Sequence, residues 1–196
     1  MDTRLPGQHA GLTRSAVFSA AHDLLRDAGP EGLTMRALAT RLHVAPNALY
    51  SHVASKTALV DQLLDDLLAE VEATPADADN PAHGLENLMA STYRVLFAHP
   101  ELVPLYLTRQ GSRGPQAERL GGVMTALLAE AGVGGRANRA ALRVLLVYTI
   151  GFAAFTTQAD PVIGPQQPPD KDELAANFTA GLRWLLVGIT HQGQAC

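Results

Sequence analysis

TMRALATRLHVAPNALYSHVASK, residues 34–56, holds two short amphipathic helices with almost nothing between them. The first is expected over Met35–Leu42, with Leu38 and Leu42 one turn apart on a buried side. Thr34 stands where an N-cap belongs, so its hydroxyl can take a free N–H of the first turn. Leu33 and Leu38 sit at staple positions that fix how the chain enters. The second helix begins at Pro46, whose missing N–H is no loss at a first helical position, and is expected to end near His52. Only His43, Val44 and Ala45 separate the two. Helix, tight turn, helix is the helix-turn-helix plan. In it the second helix enters the DNA major groove and the first lies across the backbone. On spacing alone an ordinary core hairpin remains open beside it.

The particular residues narrow the choice. Leu33-Thr34-Met35-Arg36-x-Leu38-Ala39-x-x-Leu42-x-Val44, then Leu49-Tyr50-x-His52-Val53-x-x-Lys56-x-x-Leu59, resembles the DNA-binding domain of the tetracycline-repressor (TetR) family. The resemblance covers about residues 12–62, through both helices, the turn and the next helix start. Beyond it the chain shows only the family's general helical layout. The resemblance implies that Thr34, Arg36, Tyr50, His52 and Lys56 meet phosphates or support them. It implies that Pro46, Asn47, Ala48 and Ser51 face base edges. Plainer roles stand beside these: Thr34 as a cap only, Tyr50 and His52 as packing residues, Lys56 as a solvated lysine.

Two departures bear on the reading helix. The family's usual turn glycine is His43 here, in a place that calls for an uncommon backbone conformation. Ala45 replaces the usual Ser/Thr cap, leaving the first N–H groups of that helix without a side-chain partner. Only Asn47 suits a bidentate base contact, with a chemical preference for adenine.

A chain of 196 residues, 47% hydrophobic and 17% charged, can bury a sizeable core and is not a disordered polymer. Ala and Leu dominate and no alternating β-branched runs occur, which favours helices. The net charge of −4 argues against indiscriminate coating of nucleic acid. Residues 1–57 carry six Lys/Arg against four Asp/Glu, whereas the remainder carries nine against fifteen. A mildly basic N-terminal module on an acidic body suits local DNA binding. The single cysteine, Cys196, allows no intrachain disulfide, which fits a reducing, cytoplasmic setting. No charged-then-apolar signal segment opens the chain. The run Val144–Phe155 is too short for a membrane span and suits a buried core helix.

The expected fold is all-α with about nine helices. A three-helix helix-turn-helix domain occupies residues 1–57. Helix four, about 56–73, links it to a helical ligand-binding and dimerisation domain over 74–196. Residues 1–11 read as a loose tail, with Arg4 as a possible minor-groove arm. The first helix covers Thr13–Ala28 on the apolar series Val17, Ala20, Leu24 and Ala28, and Gly29-Pro30 ends it. Ser55 caps helix four. Residues 74–80 form a polar break, and Asn80-Pro81 starts helix five, which runs to Ala98. A short sixth helix follows, disturbed by Pro104. Helix seven covers Pro115–Ala131, helix eight Arg136–Gln158, and Asp170 opens helix nine after a proline-rich connection over 160–169.

By resemblance, the second domain holds a pocket for a small-molecule effector. The candidate lining is Met89, Tyr93, Phe97, Tyr106, Arg109, Met124, Leu127, Tyr148, Phe152 and Phe155, with Tyr93 and Tyr148 as polar contacts. The same stripes would equally line an ordinary core. The last two helices are implied to pair with their copies as a homodimer, through Leu145, Phe178, Leu182, Leu185 and Ile189. A two-fold dimer places two reading heads about 34–36 Å apart on a near-palindromic double-stranded operator. The seven histidines (9, 22, 43, 52, 83, 99 and 191) are scattered, and no H-E-x-x-H, Cys pair or G-x-S-x-G occurs. No enzyme, metal, cofactor or membrane partner is expected. The reading is a ligand-responsive transcriptional regulator, in the first place a repressor. The alternative is a helical small-molecule-binding or interaction protein that has lost specific DNA binding.

Overall fold

The computed structural model describes residues 12–73, 80–109, 114–157 and 170–193. The tail at 1–11, most of the 74–80 break, residues 110–113, the 160–169 connection and Cys196 lie outside these. The described residues form nine α-helices and one 3-10 turn, with no strand among them. The expected all-α class therefore holds. The chain divides into two compact units, Met1–Leu63 and Leu64–Cys196, and the division falls within the fourth helix.

In the first unit, α1 (Arg14–Gly32) starts where the Thr13 hydroxyl accepts the Ala16 N–H at 3.2 Å. The expected stop at Gly29 is a kink: Gly29 has φ 66° and ψ −172°, and one further turn runs to Gly32. Val17, Phe18, Ala21, Leu24 and Leu25 are buried, whereas Ala28, placed on the apolar face by its spacing, is exposed. α2 (Met35–Arg41) is capped by Thr34, whose oxygen takes the Ala37 N–H at 3.0 Å. Leu33 and Leu38, the staple pair, are both buried. α3 is shorter than expected, Pro46–Leu49, and resolves into turns through Tyr50 and His52. With Leu49 fully buried, the His52 and Val53 N–H groups close back onto its carbonyl.

His43 has φ 54°, the left-handed conformation expected of the position, and it is the one non-glycine among the described residues that adopts it. Glycine carries no Cβ penalty there. His43→Gly is expected to raise stability by about 0.5 kcal/mol, the left-handed strain relieved being partly offset by glycine's extra unfolded entropy. Urea unfolding checks this, and a lower midpoint would refute it.

α4 (Lys56–Ala69) begins with Ser55 accepting the Ala58 N–H at 3.0 Å and ends four residues before the expected Ala73. Leu59, Leu63, Leu67 and Val71 are buried along its course and just beyond. In the second unit, α5 (Pro81–Ala98) is capped as expected, by Asn80 on the His83 N–H at 3.1 Å. A 3-10 turn at Pro100–Leu102 leads into α6 (Val103–Arg109). Pro104 does not disturb α6, because it lies in the first turn, where no intrahelical partner awaits its N–H. α7 (Pro115–Glu130), α8 (Gly135–Thr157) and α9 (Lys171–Gly193) complete the unit. The α7–α8 corner is pinned by the Asn138 amide, which donates to the Thr125 and Val133 carbonyls at 3.0 Å each.

α8 is not the buried core helix its composition suggested. Leu145, Thr149 and Ala153 are fully buried, but Val144, Val147 and Phe155 are exposed. By length and composition alone the whole 23-residue helix is apolar enough to cross a membrane, a condition that core helices of soluble proteins also meet. α9 likewise buries Phe178, Leu182 and Leu186 while exposing Trp184 and Val187.

Candidate nucleic-acid interface and ligand cavity

The reading head is built from local signals. Pro46 starts α3 after Ala45, which makes no side-chain cap. Pro46, Asn47 and Ser51 are exposed and Ala48 is half-buried. Ser51 Oγ donates to the Ala48 carbonyl at 2.7 Å, so what it keeps for a partner is acceptor capacity. Asn47 is thus the exposed amide of the reading helix. Tyr50 is 54% exposed, which removes the alternative that it only packs. His52 is half-buried; Thr34, Arg36 and Lys56 are exposed. Thr34 does cap, yet capping leaves its hydroxyl at the surface. Arg36 lies in the first turn of α2, and Lys56 is the first residue of α4. Both cations thus stand at helix starts, where unpaired N–H groups also favour a phosphate.

The second unit contains a cavity of about 230 Å³. Leu68 of α4, Leu88, Met89 and Thr92 of α5, and Tyr106 of α6 form part of its wall. Ala117, Leu120, Gly121 and Met124 of α7, with Leu142 and Leu146 of α8, form the rest. Of the expected lining, Met89, Tyr106 and Met124 are there. Leu68, Leu88, Thr92, Ala117, Leu120, Gly121, Leu142 and Leu146 were missed. Their only signal is helical periodicity, which does not separate a cavity wall from core.

The remaining candidates lie elsewhere. Tyr93 stacks on Phe178 with ring centroids 4.3 Å apart, and Phe152 and Tyr148 pack on the same ring at 5.5 and 5.3 Å. Phe97 borders this cluster, 5.8 Å from Tyr93 and under the Lys171 ammonium at 5.9 Å. Tyr148 is not among the residues that line the cavity, and its hydroxyl donates to the Phe178 carbonyl at 2.8 Å. Burial pushes this phenol up from its usual range, with Tyr93 adding to the shift. Gly181 makes the contact possible, since a Cβ there would lie 2.3 Å from the Tyr148 oxygen. Leu127 packs against Gly84 of α5, where a Cβ would fall 2.8 Å from it. Arg109 ends α6 and is not part of the cavity wall. Phe155, 72% exposed, cannot wall a cavity in its own chain.

A buried carboxylate holds one side of the cavity together. Asp65 of α4 is 5% exposed and accepts the Gln116 and Ala117 N–H groups at 3.0 and 3.2 Å. It therefore caps α7 from a distance, because the residue at the local cap position is Gly114. The backbone at Gly114 is extended and open to any residue, but a Cβ would lie 2.4 Å from the Asp65 carboxyl. From the other direction Arg119 of α7 donates to the Leu68 and Val71 carbonyls at 3.5 and 3.4 Å. The sequence reading missed this link, since the partners are 51 and 52 residues apart.

The expected dimer residues divide. Leu145, Phe178 and Leu182 are buried in the chain's own core and keep no surface for a second copy, a correction for all three. Leu185 and Ile189 are half-buried. The exposed apolar side chains are Val144, Val147 and Phe155 on α8 with Trp184 and Val187 on α9. Among the described residues no group of three or more His, Cys, Asp or Glu is arranged to hold a metal ion.

Comparison with known proteins agrees with this layout. A family model for bacterial regulatory proteins of the tetR family matches residues 17–63. The chain is 33% identical over 185 residues to the tetracycline repressor protein class C of Escherichia coli, covering 93% of this chain and 83% of that one. It is 30% identical over 200 residues to an HTH-type transcriptional regulator of Saccharopolyspora erythraea, covering 91% and 84%. A solved structure of a TetR variant from Acinetobacter baumannii AYE in complex with minocycline has a TM-score of 0.74 and 26% identity, over 93% of this chain and 98% of that one. Apo ActR from Streptomyces coelicolor shares the fold, with a TM-score of 0.77 at 21% identity over 94% and 98%.

Proposed function

The chain belongs to the tetR family of bacterial regulatory proteins, and from that premise we propose that it is a repressor released from its operator by a small molecule. As a family member it is a ligand-responsive, DNA-binding transcriptional regulator that acts as a dimer on operator DNA. It is a soluble protein, in our reading a cytoplasmic one without catalytic activity. The observation that supports ligand-responsive DNA binding is a reading head and a cavity on one chain, with α4 contributing to both units, and the likeness to a tetracycline repressor supports the repressor reading. We assign residues 1–57 to DNA reading, 74–196 to effector binding and dimerisation, and helix four to the link between them. In this reading Asn47, Pro46, Ala48 and Ser51 face bases, and Thr34, Arg36, Tyr50, His52 and Lys56 serve the backbone.

Effector binding can shift DNA affinity only by its difference in affinity between two states. A coupling of about 1–3 kcal/mol changes operator affinity about 5–150-fold. The test is selection of genomic fragments by the purified protein at near-physiological salt, followed by transcript measurement after gene deletion. An enriched near-palindromic site whose adjacent transcript rises on deletion is the expected result. A transcript that falls would make the protein an activator. Absence of any enriched site, from folded dimer, would leave the alternative of lost specific DNA binding.

The dimer contact is assigned to the exposed apolar strip of α8 and α9. Val147→Asp with Val187→Asp is expected to weaken self-association by about 3 kcal/mol or more, since each charge would be desolvated without a partner. Sedimentation velocity should then show monomer at concentrations where the unaltered chain is dimeric. An unchanged dimer would place the interface elsewhere.

A further inference from the structure

We propose that the cavity among α4–α8 takes a compact, uncharged aromatic molecule of about ten non-hydrogen atoms bearing at most one hydroxyl-type polar group. The proposal rests on the regulator reading only in taking this cavity as the effector site. Size sets the first limit. An apolar cavity of about 150 Å³ holds a benzene ring. In proportion, the cavity of about 230 Å³ holds nine or ten non-hydrogen atoms.

Charge sets the second limit. Among the described residues no Asp, Glu, Lys, Arg or His lines the cavity, and the polar side chains they give its wall are Thr92 and Tyr106. The Thr92 hydroxyl donates its proton to the Leu88 carbonyl at 2.8 Å, so toward a ligand it is an acceptor. An ionised ligand would be desolvated there without a counter-charge, which is strongly unfavourable. A ligand hydroxyl, by contrast, could donate to Thr92.

The wall itself favours an aromatic ring. Met89 and Met124 approach from α5 and α7, and thioether sulfur makes favourable contacts with ring edges while adapting to irregular shapes. A multi-ring, ionisable tetracycline meets neither the size nor the charge condition, so this chain differs in effector class from the relatives named for that drug.

Gly121 of α7 supplies the decisive variant. It lines the cavity, and a Cβ built there meets nothing within 4 Å. Gly121→Leu therefore fills the space while replacing a poor helix former by a good one. The experiment is calorimetric titration of the full-length protein with 4-propylphenol, 4-ethylbenzoate and minocycline, with operator affinity measured separately by fluorescence anisotropy on a selected fragment. Saturable binding of 4-propylphenol, at least 30-fold tighter than 4-ethylbenzoate and without detectable minocycline binding, is expected. Gly121→Leu should abolish the 4-propylphenol heat with the melting temperature unchanged or raised. No binding of 4-propylphenol, equal or tighter binding of either comparison compound, or binding that survives Gly121→Leu overturns the proposal. If it fails while the operator is still bound, the effector class alone is wrong. If 4-propylphenol binds but no operator exists, the ligand class stands and the repressor reading falls.

Discussion

Arg36→Ala combined with Lys56→Ala is expected to weaken operator binding about a thousandfold and to flatten its salt dependence. Both residues are exposed at helix starts, Arg36 in the first turn of α2 and Lys56 at the first position of α4. In the proposed reading, a dimer that lacks both lacks four phosphate contacts. Each released counterion contributes about 0.9 to the slope of log affinity against log salt, so the slope should fall by about 3.6. At about 1 kcal/mol for each exposed ion-pair contact, the affinity loss is about 4 kcal/mol. The fold should not suffer, because exposed substitutions away from caps and cores usually stay within about 0.5 kcal/mol. Anisotropy titrations between about 0.05 and 0.5 M salt check the result over about one decade of ionic strength. An unchanged slope with intact folding would remove these two residues from the DNA interface.

Asp65→Ala should lower the stability of the second unit by about 3 kcal/mol, a large effect for a polar residue. The carboxylate is buried and takes two N–H groups of the first turn of α7. Alanine would leave both donors unsatisfied and a void where the carboxyl stood. It would also remove a negative charge from the positive end of a 16-residue helix. For a chain of this size the melting temperature should drop by about 6–12 °C. Asp65→Asn keeps one acceptor oxygen and should cost about half as much. Gly114→Ala should resemble Asp65→Ala, because the new methyl would displace the carboxyl rather than strain the backbone. Thermal unfolding at one fixed protein concentration reads all three, since dimer stability depends on concentration. Asp65→Ala within 0.5 kcal/mol of the unaltered chain, a surface-like effect, would show that the distant cap carries no weight.

Asp65 also marks where reading the sequence stops. Helix starts were legible at Thr34, Ser55 and Asn80, because each cap accepts an N–H only three residues away. Pro46 and Pro81 at first helical positions were legible for the same reason, whereas the left-handed turn at His43 was expected from the resemblance, in which a glycine usually stands there. Nearly all of the reading head is of this local kind.

The sequence by itself therefore determined most helix starts and their caps, since interactions between residues three or four apart are encoded by spacing, and the DNA-reading stretch through its resemblance to a known family. Tertiary structure alone decided which side of each apolar helix turns inward. Phe155 and Leu145 lie on one helix and are both large and apolar, yet one is 72% exposed and the other fully buried. The Tyr148 hydroxyl, expected at a ligand, is used on the Phe178 carbonyl. The cavity wall is assembled from five helices, and the cap on α7 comes from 51 residues away. Periodicity tells that a face is apolar, but only packing against distant segments determines whether that face meets core, cavity or a second copy.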